Sequence, residues 1–361
     1  MPKFSRRGWS LTVLMAVVVL TGCSSVAPAA PGREVETTEN TITPGWFGGY
    51  LDVTILPALR LEDSPAPGPV TTLLAFVTSD PARPCEPSWG GFYDLDKAGE
   101  KLSLDTQVDA FRKAGHDVAV SFGGQRGTEL AASCTDLDAL VHAYTTVITR
   151  YGINTLDLDV EGPRAADRVA ATRRAAAIAR LQAARAPDSP LKVWLTLPVS
   201  RNGLTSAAVT SVETMLEAGV ELSGTNIMTM NFGQLAPGIS MHDAAVGAAE
   251  ATHRALAALY AKANRPIGDA ALWNRIGLTP MIGVNDVQSN VFTLEDAKQL
   301  SSFALDRGIG RVSMWSLNRD TACNPAAQGQ AHSSVASDCS GVAQEQGMFA
   351  KVLGSALSNQ H

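Results

Sequence analysis

Residues 153–162 read Ile-Asn-Thr-Leu-Asp-Leu-Asp-Val-Glu-Gly, an alternation of apolar and acidic side chains that predicts a β-strand. Successive side chains of a strand point to opposite faces, so Asp157, Asp159 and Glu161 share one face and the apolar residues between them occupy the other. Carboxylates spaced ~7 Å apart in a buried setting do not all ionise easily, so at least one pKa must rise. A carboxyl group with a raised pKa is what a general acid for glycosidic cleavage requires.

Seven further apolar or β-branched runs extend this strand into a regular alternation of strands and helices. Strands are expected at about residues 50–55, 71–78, 117–122, 153–160, 192–198, 224–231, 276–283 and 310–316. Helices are expected at residues 136–150, 166–185, 242–262, 294–307 and 343–357. This α/β pattern predicts a single (β/α)8 TIM barrel, in which chemistry is located at the carboxyl ends of the strands. The three carboxylates come at that end of the fourth strand.

A doubly wound open sheet is the alternative architecture. It would normally carry a glycine-rich phosphate loop after its first strand. Here that strand is followed by Leu-Pro-Ala-Leu-Arg at residues 56–60, and the glycine-rich residues 123–127 follow the third strand without G-x-G-x-x-G spacing. The barrel is therefore favoured.

The first 22 residues have the features of an export signal. Lys3, Arg6 and Arg7 precede an apolar run at residues 11–20, and small residues follow that run. The tetrapeptide Leu-Thr-Gly-Cys that ends at Cys23 resembles a bacterial lipobox, which predicts cleavage after residue 22 and lipidation of Cys23. An ordinary secretory signal is the alternative, and the paired arginines are a weak indication of twin-arginine export.

A flexible tether is expected between this signal and the barrel. Residues 23–45 are rich in Ser, Thr, Pro and Ala and lack apolar periodicity. Residues 46–361 are then expected to form the catalytic domain. We therefore expect an exported protein that is lipid-anchored at the outer face of a bacterial membrane, or else secreted.

Four cysteines remain when Cys23 is set aside, and an even number in an exported protein indicates two disulfide bonds. Proximity in the sequence favours a pair between Cys323 and Cys339, which leaves Cys85 and Cys134. Three pairings are formally possible.

The composition argues against several classes of protein. The chain has 361 residues, of which 45% are hydrophobic and 18% charged, as in an ordinary globular protein. Its formal net charge of −6, without a basic block, disfavours nucleic-acid binding. The histidines have no acidic or cysteine partners at metal-binding spacing, so we expect neither a catalytic metal nor another cofactor. We also expect a monomer.

Four motifs, in the correct strand order, resemble glycoside hydrolase family 18, the chitinases and their relatives. The D-x-x-D-x-D-x-E motif falls on residues 154–161, with Asn154 at its first position. The third-strand S-x-G-G motif matches residues 121–124, the sixth-strand motif matches Met-Thr-Met-Asn at residues 228–231, and the eighth-strand tryptophan matches Trp315. The segments LAFVTSD, PMIGVND and SMWSLNRD resemble those of a compact bacterial subgroup of this family. The resemblance covers nearly the whole predicted domain.

The resemblance implies a retaining, substrate-assisted mechanism without an enzyme nucleophile. Glu161 would protonate the glycosidic oxygen while the substrate's own 2-acetamido carbonyl attacks the anomeric carbon. Asp159 would hold the acetamido N–H, with Asp157 behind it sharing a proton. Trp315 would form an apolar floor for the distorted sugar. The other substrate-binding residues would be Met228, Met230, Asn231 and Gly124.

The chain departs from the family pattern at two informative positions. Asn154 replaces the first aspartate of the motif, and we expect its amide still to hydrogen-bond near Asp157. The tyrosine that many members place on the sixth strand is absent, because Met230 and Phe232 have no hydroxyl group. Losing such a donor would cost about 2.7–4 kcal/mol of transition-state stabilisation unless Asn231 supplies one.

Three functions therefore compete. The favoured function is hydrolysis of β-1,4-linked N-acetylglucosamine polymers or oligomers, and the alternatives are an endo-β-N-acetylglucosaminidase and a non-catalytic, lectin-like barrel that binds chitooligosaccharides. Retention of Glu161 favours an enzyme.

The short connection after the seventh strand, residues 281–293, predicts an open, shallow groove. Four early aromatic residues are candidates either for sugar subsites or for packing: Trp46, Tyr50, Trp89 and Tyr93.

Overall fold

The computed structural model describes residues 41–63, 71–162, 165–323, 335–355 and 357. The predicted signal at residues 1–22, the lipidation site Cys23 and most of the predicted tether lie outside these residues. Among the helices that are described, none combines the length and the apolar character needed to cross a membrane.

Eight parallel strands close into a barrel, which confirms the predicted (β/α)8 fold and excludes the open sheet. The strands are β1 Trp46–Asp52, β2 Thr71–Ser79, β3 Asp117–Gly123, β4 Thr155–Asp159, β5 Lys192–Ser200, β6 Leu222–Met228, β7 Ile276–Thr279 and β8 Arg311–Met314. Each strand pairs in parallel with the next, and β8 pairs with β1 to close the ring. The carboxyl ends of all eight strands consequently meet at one face.

Helices lie between most of these strands. They are α1 Leu95–Leu102, α2 Leu104–Lys113, α3 Leu130–Ser133, α4 Leu137–Tyr151, α5 Arg168–Ala183, α6 Ser206–Glu217, α7 Met241–Lys262, α8 Asp269–Asn274, α9 Leu294–Arg307 and α10 Met348–Gly354. Four of the five predicted helices agree within two residues. Local capping explains the agreement at α9, where Thr293 and Asp296 form a capping box and Gly308 ends the helix at φ +69°.

The predicted bounds were wrong at both ends of the barrel. The first strand was expected at residues 50–55 but begins at Trp46. The prediction missed this start because Gly48 and Gly49 interrupt the run of apolar residues that indicates a strand. A Cβ on Gly48 would lie 2.7 Å from the Thr71 carbonyl oxygen, so these glycines serve close packing rather than a turn. The last helix, expected from residue 343, begins only after Gly347, which has a φ of +75°.

Short antiparallel strands form in the loops at the carboxyl-end face of the barrel. Pro87–Trp89 and Tyr93–Asp94 extend β2 as a hairpin, Gly203–Leu204 pairs with β5, and Gly283–Val284 pairs with Val291–Phe292. The last pair lies in the segment that had been expected to be the end of the seventh strand and its connection. The tendency of these loops to form strands was not evident from the sequence because each strand is only two or three residues long.

Both disulfide bonds form as expected. Cys85 is bonded to Cys134 and Cys323 is bonded to Cys339. The first bond joins the β2 hairpin to the segment that follows β3. The predicted pairing is thereby confirmed.

The main hydrophobic core fills the layer between the strands and the helices. A second, small apolar cluster lies inside the barrel and contains Tyr50, Leu73, Ala75 and Ala119. The rest of the barrel interior is polar where β4 faces it, and this is where the acidic strand places its carboxylates.

Candidate active site

Three carboxylates lie at the carboxyl end of β4. Asp157 and Asp159 point into the barrel and are 0% and 5% exposed, and Glu161 follows two residues after the strand and is half-buried. The period-two alternation of the strand therefore brings the predicted acidic residues together, with Glu161 at the end that is open to a substrate.

Asp157 is held by hydrogen bonds from four different strands. Its Oδ1 accepts from Nη1 of Arg311 at 2.6 Å and from Oγ1 of Thr196 at 2.7 Å. Its Oδ2 accepts from Oγ of Ser121 at 2.7 Å and from the hydroxyl of Tyr50 at 3.0 Å. Both oxygens of the carboxylate are thus fully occupied as acceptors.

Tyr50 is the centre of the same network. Its hydroxyl oxygen lies 2.8 Å from Nη2 of Arg311, 3.0 Å from Oγ1 of Thr196 and 3.4 Å from Nδ2 of Asn226. Burial raises the pKa of Tyr50 well above its usual value, so its hydroxyl remains a neutral donor.

Asp159 and Glu161 are neighbouring carboxyl groups, and both have raised pKa values. Burial, followed by the negative charges of Glu161 and Asp157, raises the pKa of Asp159 well above its usual value. Burial also raises the pKa of Glu161, against the effect of a hydrogen bond with Asp159 and with support from the charge of Asp286. A carboxyl group with a raised pKa beside a second carboxyl is suited to general acid chemistry.

An aromatic floor lies against Tyr50, whose hydroxyl binds Asp157. The ring of Trp315, which follows β8, stacks on Phe76 of β2 with ring centroids 5.3 Å apart and 19° between the planes. Tyr50 lies 6.1 Å from both rings. Gly124 leaves the room that Phe76 occupies, since a Cβ at that position would lie 2.7 Å from the ring. Non-proline cis peptide bonds join Ala75 to Phe76 and Trp315 to Ser316.

Of the predicted substrate-binding residues Met228, Met230 and Asn231, only the first lies on the sixth strand. Met228 is the buried last residue of β6, whereas the half-buried Met230 and the exposed Asn231 belong to the loop that follows it. Asn231 has a φ of +53°, and its Nδ2 donates to Oδ2 of Asp286 at 2.9 Å while its Oδ1 accepts from the backbone N–H of Val287 at 3.0 Å. Asn231 therefore ties the loop after β6 to the loop after β7.

Two curated relatives and several solved structures resemble the chain. A probable bifunctional chitinase/lysozyme from Escherichia coli is 34% identical over 68% of this chain and 28% of its own length. Endochitinase 11 of Metarhizium anisopliae is 31% identical over 76% of this chain and 52% of its own length. The chain thus spans about half, or less, of the curated relatives that it matches. No model of a protein family matches it.

Among solved structures, active domain 2 of a Pyrococcus furiosus chitinase is 28% identical, with a TM-score of 0.73 over 88% of this chain and 97% of that domain. The chain belongs to glycoside hydrolase family 18. A family 18 chitinase from Chromobacterium violaceum shares the fold, with a TM-score of 0.55 at 17% identity.

One expectation about the family 18 motif is wrong. Asn154 does not contact Asp157, because it precedes β4, is exposed and accepts a hydrogen bond from the guanidinium of Arg185. Residues three apart on a strand point to opposite faces, so the first motif position faces away from the barrel interior. Replacing its aspartate therefore leaves the buried network unchanged.

The four early aromatic candidates lie in different environments. Tyr50 belongs to the buried site network, whereas Trp46 packs edge-on against Trp194 and beside Arg311. Trp89 is fully buried and donates to the Tyr151 hydroxyl at 3.0 Å, which makes it a packing residue. The half-buried Tyr93 lies in the β2 hairpin.

Several residues of this family 18 site were not found by inspection of the sequence. They are Arg311, Thr196, Asn226, Phe76 and Asp286. For the first three a signal was present, because each is a polar or charged residue within a predicted strand, and the structure shows each to be at most 1% exposed. A polar side chain at such a position must find buried partners.

No group of His, Cys, Asp and Glu side chains suited to a metal ion occurs among the residues that the structure describes.

Proposed function

We propose that this chain is a chitinase-like glycoside hydrolase that cleaves β-1,4-linked N-acetylglucosamine polymers or oligomers with retention of configuration. The observation that carries the proposal is the position of Glu161, which is half-buried at the carboxyl end of β4 with its pKa raised by burial, two residues after the buried Asp159. Support comes from the names of both curated relatives and from a similar Pyrococcus furiosus domain solved in complex with chito-oligosaccharides.

In the proposed reaction Glu161 donates its proton to the glycosidic oxygen as the bond to the anomeric carbon breaks. The 2-acetamido carbonyl oxygen of the same sugar attacks that carbon from the opposite face and forms an oxazolinium ion. Asp159 orients the acetamido N–H and stabilises the positive charge. Glu161, now a carboxylate, then takes a proton from the water that attacks the anomeric carbon and opens the oxazolinium ring.

The aromatic floor is proposed to bind the reacting sugar. Trp315 and Phe76 present a stacked apolar surface against Tyr50, the residue that donates to Asp157, and the C–H faces of a sugar pack on such rings. Met228 and Met230 supply an adaptable apolar lining for the acetamido methyl group. The open, shallow groove remains a prediction.

The first test is hydrolysis of a fluorogenic chitotriose glycoside. We expect turnover by the wild type, a loss of about 10²-fold or more in Glu161→Gln, and wild-type activity in Glu295→Gln, which removes an exposed carboxyl group on α9. NMR detection of the initial product anomer checks retention. Equal inactivity of the wild type and Glu161→Gln, with chitooligosaccharide still bound, would instead support the lectin-like function.

We further propose that the protein is exported and anchored to the outer face of a bacterial membrane through a lipid on Cys23, and that it is a monomer. The basic, apolar and small-residue segments of residues 1–23 support export and the lipid anchor. Metabolic labelling with palmitate should mark the wild type but not Cys23→Ser. A labelled Cys23→Ser protein would rule out this anchor, and a dimer in sedimentation velocity would rule out the monomer.

A further inference from the structure

The loop after β7 is a hairpin that is fastened to the loop after β6. We call residues 283–292 the β7 hairpin, and its turn contains two asparagines that are 0% exposed, Asn285 and Asn290. Oδ1 of Asn285 accepts from the backbone N–H of Asn231 at 3.1 Å, and Nδ2 of Asn290 donates to the Gly233 carbonyl oxygen at 2.8 Å. The position of the hairpin therefore determines the position of the loop after β6.

The turn of the β7 hairpin also reaches the candidate active site. Asp286 lies in this turn and accepts from Nδ2 of Asn231 at 2.9 Å. Its negative charge contributes to the raised pKa of Glu161. Asn231 directly follows Met230, which belongs to the proposed lining for the acetamido methyl group. A displacement of the hairpin would therefore change the surroundings both of Glu161 and of the proposed sugar site.

Two residues from the chain after β8 hold the β7 hairpin at Val284. The backbone N–H of Val284 donates to the Ser340 carbonyl oxygen at 2.8 Å, and its carbonyl oxygen accepts from Nη2 of Arg319 at 2.7 Å. A Cβ on Gly283 would lie 2.0 Å from the same Ser340 oxygen, so this close approach requires a glycine. The hairpin is thus bonded on one side to the loop after β6 and at Val284 to Arg319 and Ser340.

A disulfide bond joins the two segments that carry Arg319 and Ser340. Cys323 is bonded to Cys339, the residue before Ser340. The backbone N–H of Ser340 donates to the Thr321 carbonyl oxygen at 2.9 Å. The covalent bond therefore limits how far the two segments that hold the hairpin can separate.

Arg319 is a buried cation, and its hydrogen bonds to the described residues all go to backbone carbonyl oxygens. It is 1% exposed, and besides Val284 its guanidinium donates to the carbonyl oxygens of Ile282, at 3.0 Å, and of Ala336. Burial lowers the pKa of Arg319 to about 10, which leaves it charged at neutral pH. Burying a charge on carbonyl oxygens alone costs stability. What the side chain provides in return is a link between the hairpin and the segment of Ala336.

We propose that Arg319 is a positioning residue, which together with the disulfide bond Cys323–Cys339 fixes the β7 hairpin beside Glu161. Arg319 acts through the hairpin and not on a sugar, since it is 1% exposed and its donors are directed at carbonyl oxygens. Loss of its side chain should let the hairpin detach locally while the barrel stays folded, because the hairpin lies outside the ring of eight strands.

The direct test is hydrogen exchange of backbone amides, followed by NMR in the wild type and in Arg319→Met. The informative N–H groups are those through which the hairpin is bonded to its neighbours, at Val284, Val287 and Asn231. We expect these amides to exchange roughly tenfold faster or more in Arg319→Met, measured relative to the amides of β4. The amides of β4 serve as the reference because they report the stability of the barrel as a whole.

Asn274→Ala is the matched control. Asn274 is 7% exposed and, like Arg319, joins the backbones of two segments, since its Oδ1 accepts from the N–H of Thr43 at 2.9 Å and its Nδ2 donates to the Gly308 carbonyl oxygen at 3.3 Å. It lies directly before β7, at the opposite face of the barrel from the site. We expect faster exchange at Thr43 and unchanged relative rates in the hairpin.

Two results would overturn the proposal. One is hairpin amides that keep their wild-type rates relative to β4 in Arg319→Met, and the other is an equal acceleration of these amides in Asn274→Ala, which would indicate a general loss of stability. If Arg319→Met does not fold, the double variant Cys323→Ala with Cys339→Ala decides, because it retains Arg319 and should accelerate the same amides by a smaller factor. Unchanged relative rates in that double variant would then refute the proposal.

The kinetic counterpart rests on the proposed function. We expect kcat/KM for a chitotriose glycoside to fall roughly tenfold or more in Arg319→Met and to stay at the wild-type value in Asn274→Ala. Asn231→Ala already breaks the link between the hairpin and the loop after β6, so adding Arg319→Met to it should cost much less than Arg319→Met alone.

Fully additive losses in the double variant of Arg319 and Asn231 would overturn the positioning role. Inactivity of the wild type would refute the proposed function but would leave the exchange result valid. An active wild type whose hairpin amides exchange at unchanged relative rates in Arg319→Met would refute the role of Arg319 alone.

Discussion

Two adjacent glycines determine how the third strand reaches the catalytic face. Gly123 has a φ of +106°, and a Cβ there would lie 2.0 Å from the Asp159 carbonyl oxygen. Gly124 has a φ of +85°, and its N–H donates to the same oxygen at 3.1 Å. Any side chain at position 123 would separate β3 from the strand that carries the carboxylates. A side chain at position 124 would displace Phe76.

Gly124→Ala should therefore lower both stability and activity. The positive φ costs about 1 kcal/mol for a non-glycine residue, and the collision with Phe76 adds about 1–3 kcal/mol. Because Phe76 supports Trp315, we expect kcat/KM for a chitotriose glycoside to fall by roughly tenfold or more. Thermal unfolding and steady-state kinetics measure the two effects.

Gly219→Ala is the matched control. Gly219 has a φ of +76°, but no atom lies within 4 Å of the position that its Cβ would take. It should lose a similar amount of stability to backbone strain and retain full activity. Equal activity in the two variants would show that the place of Phe76 does not matter to catalysis.

At the scale of elements, hydrogen bonds hold the loops after β6 and β7 to each other. The backbone N–H of Asn231 donates to Oδ1 of Asn285 at 3.1 Å, and its side chain bonds to Asp286 and Val287. The second loop is held from below by Arg319, whose guanidinium donates to the Val284 carbonyl oxygen at 2.7 Å. These contacts hold the exposed Asp286 close enough to raise the pKa of Glu161.

Asp286→Asn should consequently shift the alkaline limb of the kcat profile toward lower pH. The negative charge of Asp286 raises the pKa of Glu161, so its removal lowers that pKa, and the general acid then loses its proton at a lower pH. The substituted amide can still accept the hydrogen bond from Asn231, which keeps the loop in place. A pH–rate profile at saturating substrate measures the shift.

Asp306→Asn, which removes an exposed carboxyl group on α9, is the control and should leave the profile unchanged. A limb that stays in place or moves to higher pH in Asp286→Asn would contradict the electrostatic role.

At the scale of the whole molecule, the two disulfide bonds close loops of different lengths. Cys85–Cys134 spans 49 residues and ties the β2 hairpin to the segment after β3, whereas Cys323–Cys339 spans 16 residues. In the loop-entropy model the longer loop restricts the unfolded chain more.

Replacing both cysteines of a pair by alanine should show how much each disulfide bond contributes to the free energy of unfolding. The model gives a loss of about 4 kcal/mol for Cys85 with Cys134 and about 3 kcal/mol for Cys323 with Cys339. Denaturant unfolding of the two double variants, measured beside the oxidised wild type, tests the order. A larger loss for the shorter loop would mean that native contacts, rather than loop entropy, dominate.

The sequence predicts those features of this protein that depend on local patterns. The strand and helix periods predicted the barrel, Thr293 and Gly308 predicted the limits of α9, and the spacing of Asp157, Asp159 and Glu161 placed three carboxyl groups at one strand end. These predictions succeed because each depends on neighbours within a few residues, where backbone geometry is nearly fixed. The first strand was misplaced because its glycines respond to packing by distant residues.

The sequence by itself determined the barrel and the acidic strand end, and it favoured the cysteine pairing that the structure shows. Only the tertiary structure decided what surrounds the carboxylates. Arg311 lies 154 residues from Asp157 in the chain, and Tyr50 lies 107 residues from it. They meet because β8 closes the ring against β1 and all strands turn alternate side chains inward. No local periodicity encodes such contacts, since they follow from the register of strands that are distant in sequence.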